Sequence, residues 1–369
     1  MKKKICIFIS DEGYGHVVRQ VNIIDELLKK KKFHITVVTS SKIQILKEKF
    51  GNQISYDNFH NNIQTVKNKN GSLNINETKK KFFNWKRKSK KWINRNLEKY
   101  KNQNLYISDF VPDAFHLGEL NKIPCIGIAH FTWDWFYKKI YKKNSDIYKY
   151  LTFLIKKSSR LFFPPFTPKY ILKKYKKKIK NINFIVSDFD IVKINSNKIR
   201  VLIMDNGAEN LKNLIKRTIP YLPNIKKFEF IIRTDNLDKK LKKIIIKSQN
   251  IVPVTGLKNM HSQIYATDIV IARGGFNTIT ECLSLKKPSI LFNEKNNPEV
   301  FENIEKIKKY KLGKLINLKD WGGNFEKKLN SFYQKDFEII KKKLMNSNFK
   351  KDGPRQISRE INKILKNKV

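Results

Sequence analysis

Ten short, almost unbroken apolar runs punctuate this chain, and most lead into a polar turn or a helical pattern. The first half carries residues 4–10 (KICIFIS), 33–40 (FHITVVTS), 105–110 (LYISDF), 123–131 (IPCIGIAHF) and 159–166 (SRLFFPPF). The second half carries 199–205 (IRVLIMD), 228–233 (FEFIIR), 250–256 (NIVPVTG), 268–273 (DIVIAR) and 288–293 (PSILFN). Runs of this length without polar alternation are strands buried on both faces, as in a parallel sheet covered by helices. Between the first two runs, Val17, Val21, Ile24 and Leu28 recur at helical spacing. The pattern predicts an α/β chain made of two series of about 170 residues each. An N-terminal parallel-sheet α/β domain is expected over 1–190 and a second over 198–348, with the boundary near Val186 to Asn197. An amphipathic C-terminal helix is expected within 349–369, carrying Ile357, Ile361 and Ile364.

Composition sets the next limits. With 40% hydrophobic residues, the chain has enough apolar surface for a sizeable core and is no disordered polycation. Its 78 Lys+Arg against 32 Asp+Glu give a net charge of +46, and only ten of the basic residues are Arg. Two readings stay open: lysine filling solvated positions through a compositional bias, or binding to an anionic surface, either membrane or nucleic acid. Nucleic acid is not the expected partner, because no RNA-recognition signature, zinc spacing or helix-turn-helix pattern is present. No run approaches the ~18 apolar residues of a membrane span. The start, MKKKICIFIS, resembles a signal peptide but runs into Asp11 and Glu12 without a cleavage site, so it reads as a first strand. Cys6, Cys125 and Cys282 are too few and too scattered for a disulfide framework or a metal site, which favours a reducing, cytoplasmic setting.

Two glycine turns carry candidate chemistry. In DEGYGHVVRQ, Gly13 and Gly15 permit a sharp turn after the first strand, and His16 opens the following helix. An imidazole at the carboxyl edge of a parallel sheet suits a general base. In ARGGFNTITE, a strand runs into Arg273, Gly274 and Gly275, and a helix starts near Asn277 or Thr278. Glycines there let phosphates approach the helix N–H groups. Thr278 and Thr280 add hydroxyls, and Glu281 is placed to accept from a ribose diol.

RGGFNTITE followed by LKKPSILF resembles the nucleotide-binding half of GT-B glycosyltransferases, nearest the group of the lipid-linked GlcNAc transferase and the galactolipid synthases. GYGHVVR resembles the first loop of that group and of a nucleotide-sugar hydrolase on the same architecture. Residues 108–137 resemble the glycosyltransferase-like part of arabinokinases. The resemblance implies the GT-B architecture, two Rossmann-like parallel-sheet domains facing across a cleft. It implies a hexosyltransferase-type enzyme of cell-envelope glycan or glycolipid synthesis, inverting and metal-independent. Such an enzyme has no cofactor beyond a nucleotide-diphosphate sugar, most often a UDP-sugar, and takes a carbohydrate or lipid-linked acceptor. By position, Gly274, Gly275 and Thr278 meet the diphosphate, with Arg273 and Asn277 beside them, Glu281 holds the ribose, and Gly207 lies against the phosphates. The sequence departs from the family where a Glu/Asp-Gln pair is expected: NEKNNPEVFEN has Asn296, Asn297, Glu299 and Asn303 but no Gln.

The acceptor side is expected from HFTWDWF. Trp133 and Trp135 offer faces for sugar rings, and Asp134 between them is a second candidate base after His16. His130 is a second possible base, and Asp109, just past the LYIS strand, is another carboxylate expected at the cleft edge. Asp188 and Asp190 in SDFD read as a strand-end turn, so no metal site is expected. The basic aromatic segment Lys79 to Tyr100, with Phe82, Trp85, Trp92 and Ile93, reads either as a cleft-facing helix or as a peripheral contact with the inner face of the cytoplasmic membrane. KYILKKYKKKIK is a weaker version of the same pattern. The enzyme rivals are a nucleotide-sugar hydrolase and a binding module that has lost turnover; the rival from another class is a basic nucleic-acid-binding protein.

Overall fold

The computed structural model describes residues 2–58, 62–141, 145–186, 197–205, 209–235, 237–256 and 260–366. Gly207, Asp188, Asp190 and most of the expected domain boundary lie outside the described residues. The chain forms two compact units. One comprises Met1–Val66, Asn74–Val186 and Lys350–Val369; the other comprises Lys67–Leu73 and Ser187–Phe349. The C-terminal segment is therefore part of the first unit, and a seven-residue excursion from the first half, Lys67–Leu73, packs with the second.

The first unit is built on β1 (Lys3–Ile9), β2 (Phe33–Val38), β3 (Ser55–Asp57), β4 (Leu105–Asp109), β5 (Cys125–Ile128), β6 (Arg160–Phe163) and β7 (Ile179–Asn181). They pair in parallel in the order β3-β2-β1-β4-β5-β6-β7. Every side chain from Ile5 to Ile9 is buried, the expected result when helices cover both faces of a parallel sheet. The C-terminal helix Gly353–Lys366 packs against the helix Gly15–Leu28 and adds Ile357, Ile361 and Leu365 to the same core as Ile5, Ile7 and Ile107. Its first residue must be glycine for steric reasons, since a Cβ on Gly353 would sit 2.4 Å from the Asn183 carbonyl oxygen.

The second unit repeats the plan with β8 (Ile199–Ile203), β9 (Phe228–Arg233), β10 (Ile251–Val254), β11 (Ile269–Arg273), β12 (Ser289–Phe292) and β13 (Lys314–Ile316). Their parallel order is β10-β9-β8-β11-β12-β13. In each unit the chain winds outward over three strands, then returns to lay the fourth beside the first. The order therefore reverses between β1 and β4 and again between β8 and β11. Crevices outside the carboxyl ends of strands at such reversals are where doubly wound sheets bind ligands. All three Cys are buried free thiols.

The basic aromatic segment is a helix, Ile75–Tyr100, whose start is fixed by Asn74 accepting from the Glu77 N–H at 3.0 Å. Phe82, Trp85, Ser89, Ile93 and Tyr100 form its buried stripe. Trp85 and Ser89 donate to the buried Asp113 carboxylate at 3.2 and 2.5 Å. The aromatics that a headgroup contact needs are thus mostly core residues, with Phe83 the large apolar side chain exposed on this helix at 44%. KYILKKYKKKIK is not one helix: it divides into a helix, Lys169–Lys174, a short turn and the edge strand β7. Among the described residues, no helix is long and apolar enough to cross a membrane.

Candidate active site

In the first unit the polypeptide leaves β1 through Ser10 to Tyr14 and enters the helix Gly15–Leu28. Two carboxylates pin this loop. Asp11 accepts from the Ser41 N–H at 2.9 Å, Thr39 Oγ1 at 2.9 Å and Asn62 Nδ2 at 2.7 Å. Glu12 accepts from the Thr65 N–H at 3.0 Å and from the Thr65 hydroxyl. Gly13 turns the backbone at φ +74°, a region that costs a side chain strain.

The helix then presents His16, Arg19 and Gln20, spaced i, i+3 and i+4 and so on one face. All three are buried. They converge on Asp109, the last residue of β4, which lies beside Ile9 across the β1–β4 reversal and is fully buried. Asp109 Oδ1 contacts His16 Nδ1 at 2.7 Å and also pairs with Arg19 Nη2. Asp109 Oδ2 accepts from Arg19 Nε at 3.1 Å and Gln20 Nε2 at 2.8 Å. Burial by itself raises a carboxyl pKa, but the Arg19 charge and the His16 contact outweigh it and hold Asp109 down at about 2. Asp109 is therefore an anion locked between a guanidinium and an imidazole. With its Nδ1 proton donated to that anion, neutral His16 carries an unprotonated Nε2, the form a general base requires. His130, just past β5, joins through Arg19 Nη1, 3.2 Å from its Nδ1.

Asp134 lies elsewhere, which corrects its expected role. It sits fully buried in the first turn of the helix Trp133–Ile140 and is ion-paired with Lys174. It also accepts from Tyr175 Oη at 2.8 Å and Thr152 Oγ1 at 3.1 Å. All three bonds fall on Oδ2 and tie it between helices, while Oδ1 is buried without a hydrogen-bond partner; among the described residues it makes no hydrogen bond with His16. Trp133 and Trp135 are each only 2% exposed, so they form no sugar-stacking platform. They pack with Phe131 and Phe136, and Trp133 donates to the Phe110 carbonyl at 2.9 Å. The carboxylate beside the candidate base is Asp109, and Arg19 and Gln20 were the polar neighbours not anticipated. Their signal was present in HVVRQ, where the three side chains share helical spacing.

In the second unit β11 ends at Arg273, Gly274 and Gly275 follow, and the helix Phe276–Ser284 starts with Gly275 as its N-cap. The two glycines differ. A Cβ on Gly274 would fall 2.6 Å from Ile304 Cγ1, so the helix Pro298–Tyr310 excludes any larger residue. A Cβ on Gly275 would meet only Arg273 Nη1, at 3.7 Å. Gly274 is thus required by internal packing, and Gly275 is the open position. The Gly274 N–H is already spent on the Phe292 carbonyl at 3.0 Å, so the donors of the first helical turn come from residues after Gly275. Asn277 is half-buried, while Thr278, Thr280 and Glu281 are buried along that helix. Thr280 donates back to the Asn277 carbonyl at 2.8 Å, which spends its hydroxyl within the helix. Arg273 Nε reaches the buried Glu294 at 2.5 Å, and Lys67, from the excursion, reaches the same carboxylate at 2.8 Å. In the stretch that lacks the Gln, Asn297 caps the next helix through the Glu299 and Val300 N–H groups at 3.1 and 3.3 Å. Asn303 donates to the Gly274 carbonyl at 3.3 Å, tying that helix to the glycine turn.

Both halves of the sequence match glycosyltransferase domains. Residues 206–357 match the glycosyltransferase family 28 C-terminal domain, and residues 3–158 match glycosyl transferase family 1. Among solved structures, CalG4, the calicheamicin glycosyltransferase, superimposes with a TM-score of 0.70 at 11% identity, covering 100% of this chain and 99% of that one. Medicago truncatula UGT71G1 complexed with UDP-glucose gives a TM-score of 0.68 at 13% identity, with 99% and 98% covered. Phytolacca americana UGT2 complexed with UDP-2fluoro-glucose and pterostilbene gives 0.67 at 10% identity, with 98% and 99% covered. No curated protein sequence gives a significant match. Fold and sequence together define a glycosyltransferase of the GT-B type.

Proposed function

We propose that this protein transfers a hexosyl group from a UDP-sugar to an acceptor hydroxyl, with His16 as the general base. The observation that carries the reading is the 2.7 Å contact between His16 Nδ1 and the ionised, fully buried Asp109 at the β1–β4 reversal. The acceptor O–H gives its proton to His16 Nε2, the oxygen bonds to the anomeric carbon, and the bond from that carbon to the diphosphate breaks. Negative charge then builds on the leaving UDP. Main-chain N–H groups and the helix dipole behind Gly275 supply donors for it without a metal. Glu281, buried on that helix, accepts from the ribose hydroxyls. UDP-sugar complexes among the structures of similar fold support the choice of donor. The resemblance to the lipid-linked GlcNAc transferase and galactolipid synthase group supports a carbohydrate or lipid-linked acceptor.

The test is product analysis with a panel of UDP-sugars, with and without candidate acceptors. A glycosylated acceptor formed together with UDP is expected. Release of UDP and free sugar at the same rate whether or not acceptor is present would replace the transferase reading with a nucleotide-sugar hydrolase.

A further inference from the structure

The excursion Lys67–Leu73 is a closed loop that packs as part of the second unit. Lys67 and Leu73 pair as an antiparallel bridge, and Asn68 donates its N–H and its side-chain amide to Ser72, each at 2.9 Å. Gly71 turns the loop at φ +79°, where a Cβ would collide with the Asn210 side chain. The Leu73 N–H donates to the Lys295 carbonyl at 3.2 Å. Asn210 stands in the first turn of the helix Glu209–Thr218, which follows β8, and Lys295 follows β12. β11 lies between those two strands. The loop therefore spans the carboxyl edge of the second sheet, across the strand that runs into Arg273, Gly274 and Gly275.

The loop brings a charge to that turn. Glu294 is 1% exposed and faces two cations. Arg273 bonds through Nε to Oε2, while Lys67 Nζ lies 2.8 Å from Oε1 as an ion pair outside hydrogen-bond alignment. Among the described residues neither cation has a second acidic partner. Two positive charges against one negative leave one in excess. Arg273 is the cation beside the turn, since its Nη1 is the nearest atom, at 3.7 Å, to a Cβ built on Gly275. Its hydrogen bond runs through Nε, which leaves the Nη groups for a ligand. Glu294 alone would cancel that guanidinium and repel an anion at the turn.

We propose that Lys67 offsets Glu294, so that Arg273 keeps its positive charge for the diphosphate of the donor. Lys67 is then a positioning residue that acts through the carboxylate. The inference rests on the β11 turn as the nucleoside-diphosphate site and adds to it a residue from the other half of the sequence.

The test is calorimetric titration of the full chain with UDP and with uridine, which lacks the phosphates. The Lys67 side chain is 38% exposed, so Lys67→Met removes its charge without opening the core. That variant should bind UDP about tenfold more weakly, the scale of one partly screened unit charge, and bind uridine within about twofold of the parent. Lys67→Arg should restore UDP affinity to within about threefold. In a Glu294→Gln background, where no carboxylate needs offsetting, Lys67→Met should cost less than about threefold. Unchanged UDP affinity in Lys67→Met, or equal losses for UDP and uridine, overturns the proposal even if Glu294→Gln fails to fold. A full tenfold loss in the Glu294→Gln background also overturns it, because Lys67 would then meet the phosphates directly. A parent that binds no UDP fails the donor reading and the inference together, whereas a parent that binds UDP indifferently to Lys67 fails the inference alone.

Discussion

The turns after β1 and β11 are the same local device put to different uses. Each follows a strand at an order reversal, each contains glycines, and each opens a helix. After β1 the helix delivers side chains: His16, Arg19 and Gln20 crowd onto one buried anion. Its glycine only bends the chain, and a Cβ on Gly13 would meet nothing within 4 Å. After β11 the helix delivers its own N-terminus, and Gly274 is held by the helix packed on it rather than by a ligand. A turn that works through side chains should fail chemically when those are removed. A turn that works through backbone should fail in binding, or in folding where its glycine is packed.

The largest expected effect is on turnover. His16→Ala should lower kcat by about 10²–10⁴-fold, the range for loss of a general base, while calorimetric UDP affinity stays within about twofold. Full activity in that variant would erase the difference between the two turns.

Next come two of the buried carboxylates of the first unit, Asp109 and Asp134. Asp109→Asn leaves Arg19 buried without its counter-charge and should cost about 3–5 kcal/mol together with turnover. The pH dependence has a definite sign. The Asp109 pKa falls from about 3.9 unfolded to about 2 folded. Its contribution, about 2–3 kcal/mol, is therefore fully present above pH ~4 and is lost as pH falls from about 4 to 2. Urea midpoints across that window should slope in the parent and flatten in Asp109→Asn. Asp134→Asn should destabilise the fold yet leave kcat within about threefold, since Asp134 bonds only to Lys174, Thr152 and Tyr175. A large kcat loss there would restore Asp134 to the chemistry.

Glu281→Ala should weaken UDP binding about tenfold or more by calorimetry, because a charged hydrogen-bond partner is worth ~1.5–3 kcal/mol. Unchanged affinity would remove Glu281 from the ribose.

The smallest effects separate the two glycines. Gly274→Ala forces a methyl group against Ile304 and should cost about 1–3 kcal/mol, partly relieved by Ile304→Ala in a double-mutant cycle. Gly275→Ala has space for its methyl group and should cost only about 0.5 kcal/mol, through its poorer capping. Equal costs at the two positions would mean that packing does not distinguish them.

Local sequence carried much of this molecule. The central strands were legible because burial on both faces demands continuous apolar residues, and all ten runs contain strands. The edge strands β3, β7 and β13 escaped notice because each is three residues long and mostly polar or half-exposed. Of the site, the glycine turns and the position of His16 could be read from neighbouring residues. The pairing of His16 with Asp109 could not, because 93 residues separate them and Asp109 and Asp134 look alike locally, each near a strand end. Trp133 and Trp135 misled for a related reason: an aromatic pair beside an acid has the same sequence whether it faces a ligand or the core.

The sequence by itself determined the two parallel αβ series, the glycine turns that follow β1 and β11, and the helical spacing that aligns His16 with Arg19. Those features depend on periodicity and backbone freedom, which are properties of short segments. Only the tertiary structure decided which carboxylate meets the imidazole, which glycine is packed and which is open, and that the C-terminal helix completes the first unit. Those outcomes depend on what the winding order of each sheet brings together across the strand-order reversal, and no local window of sequence contains that information.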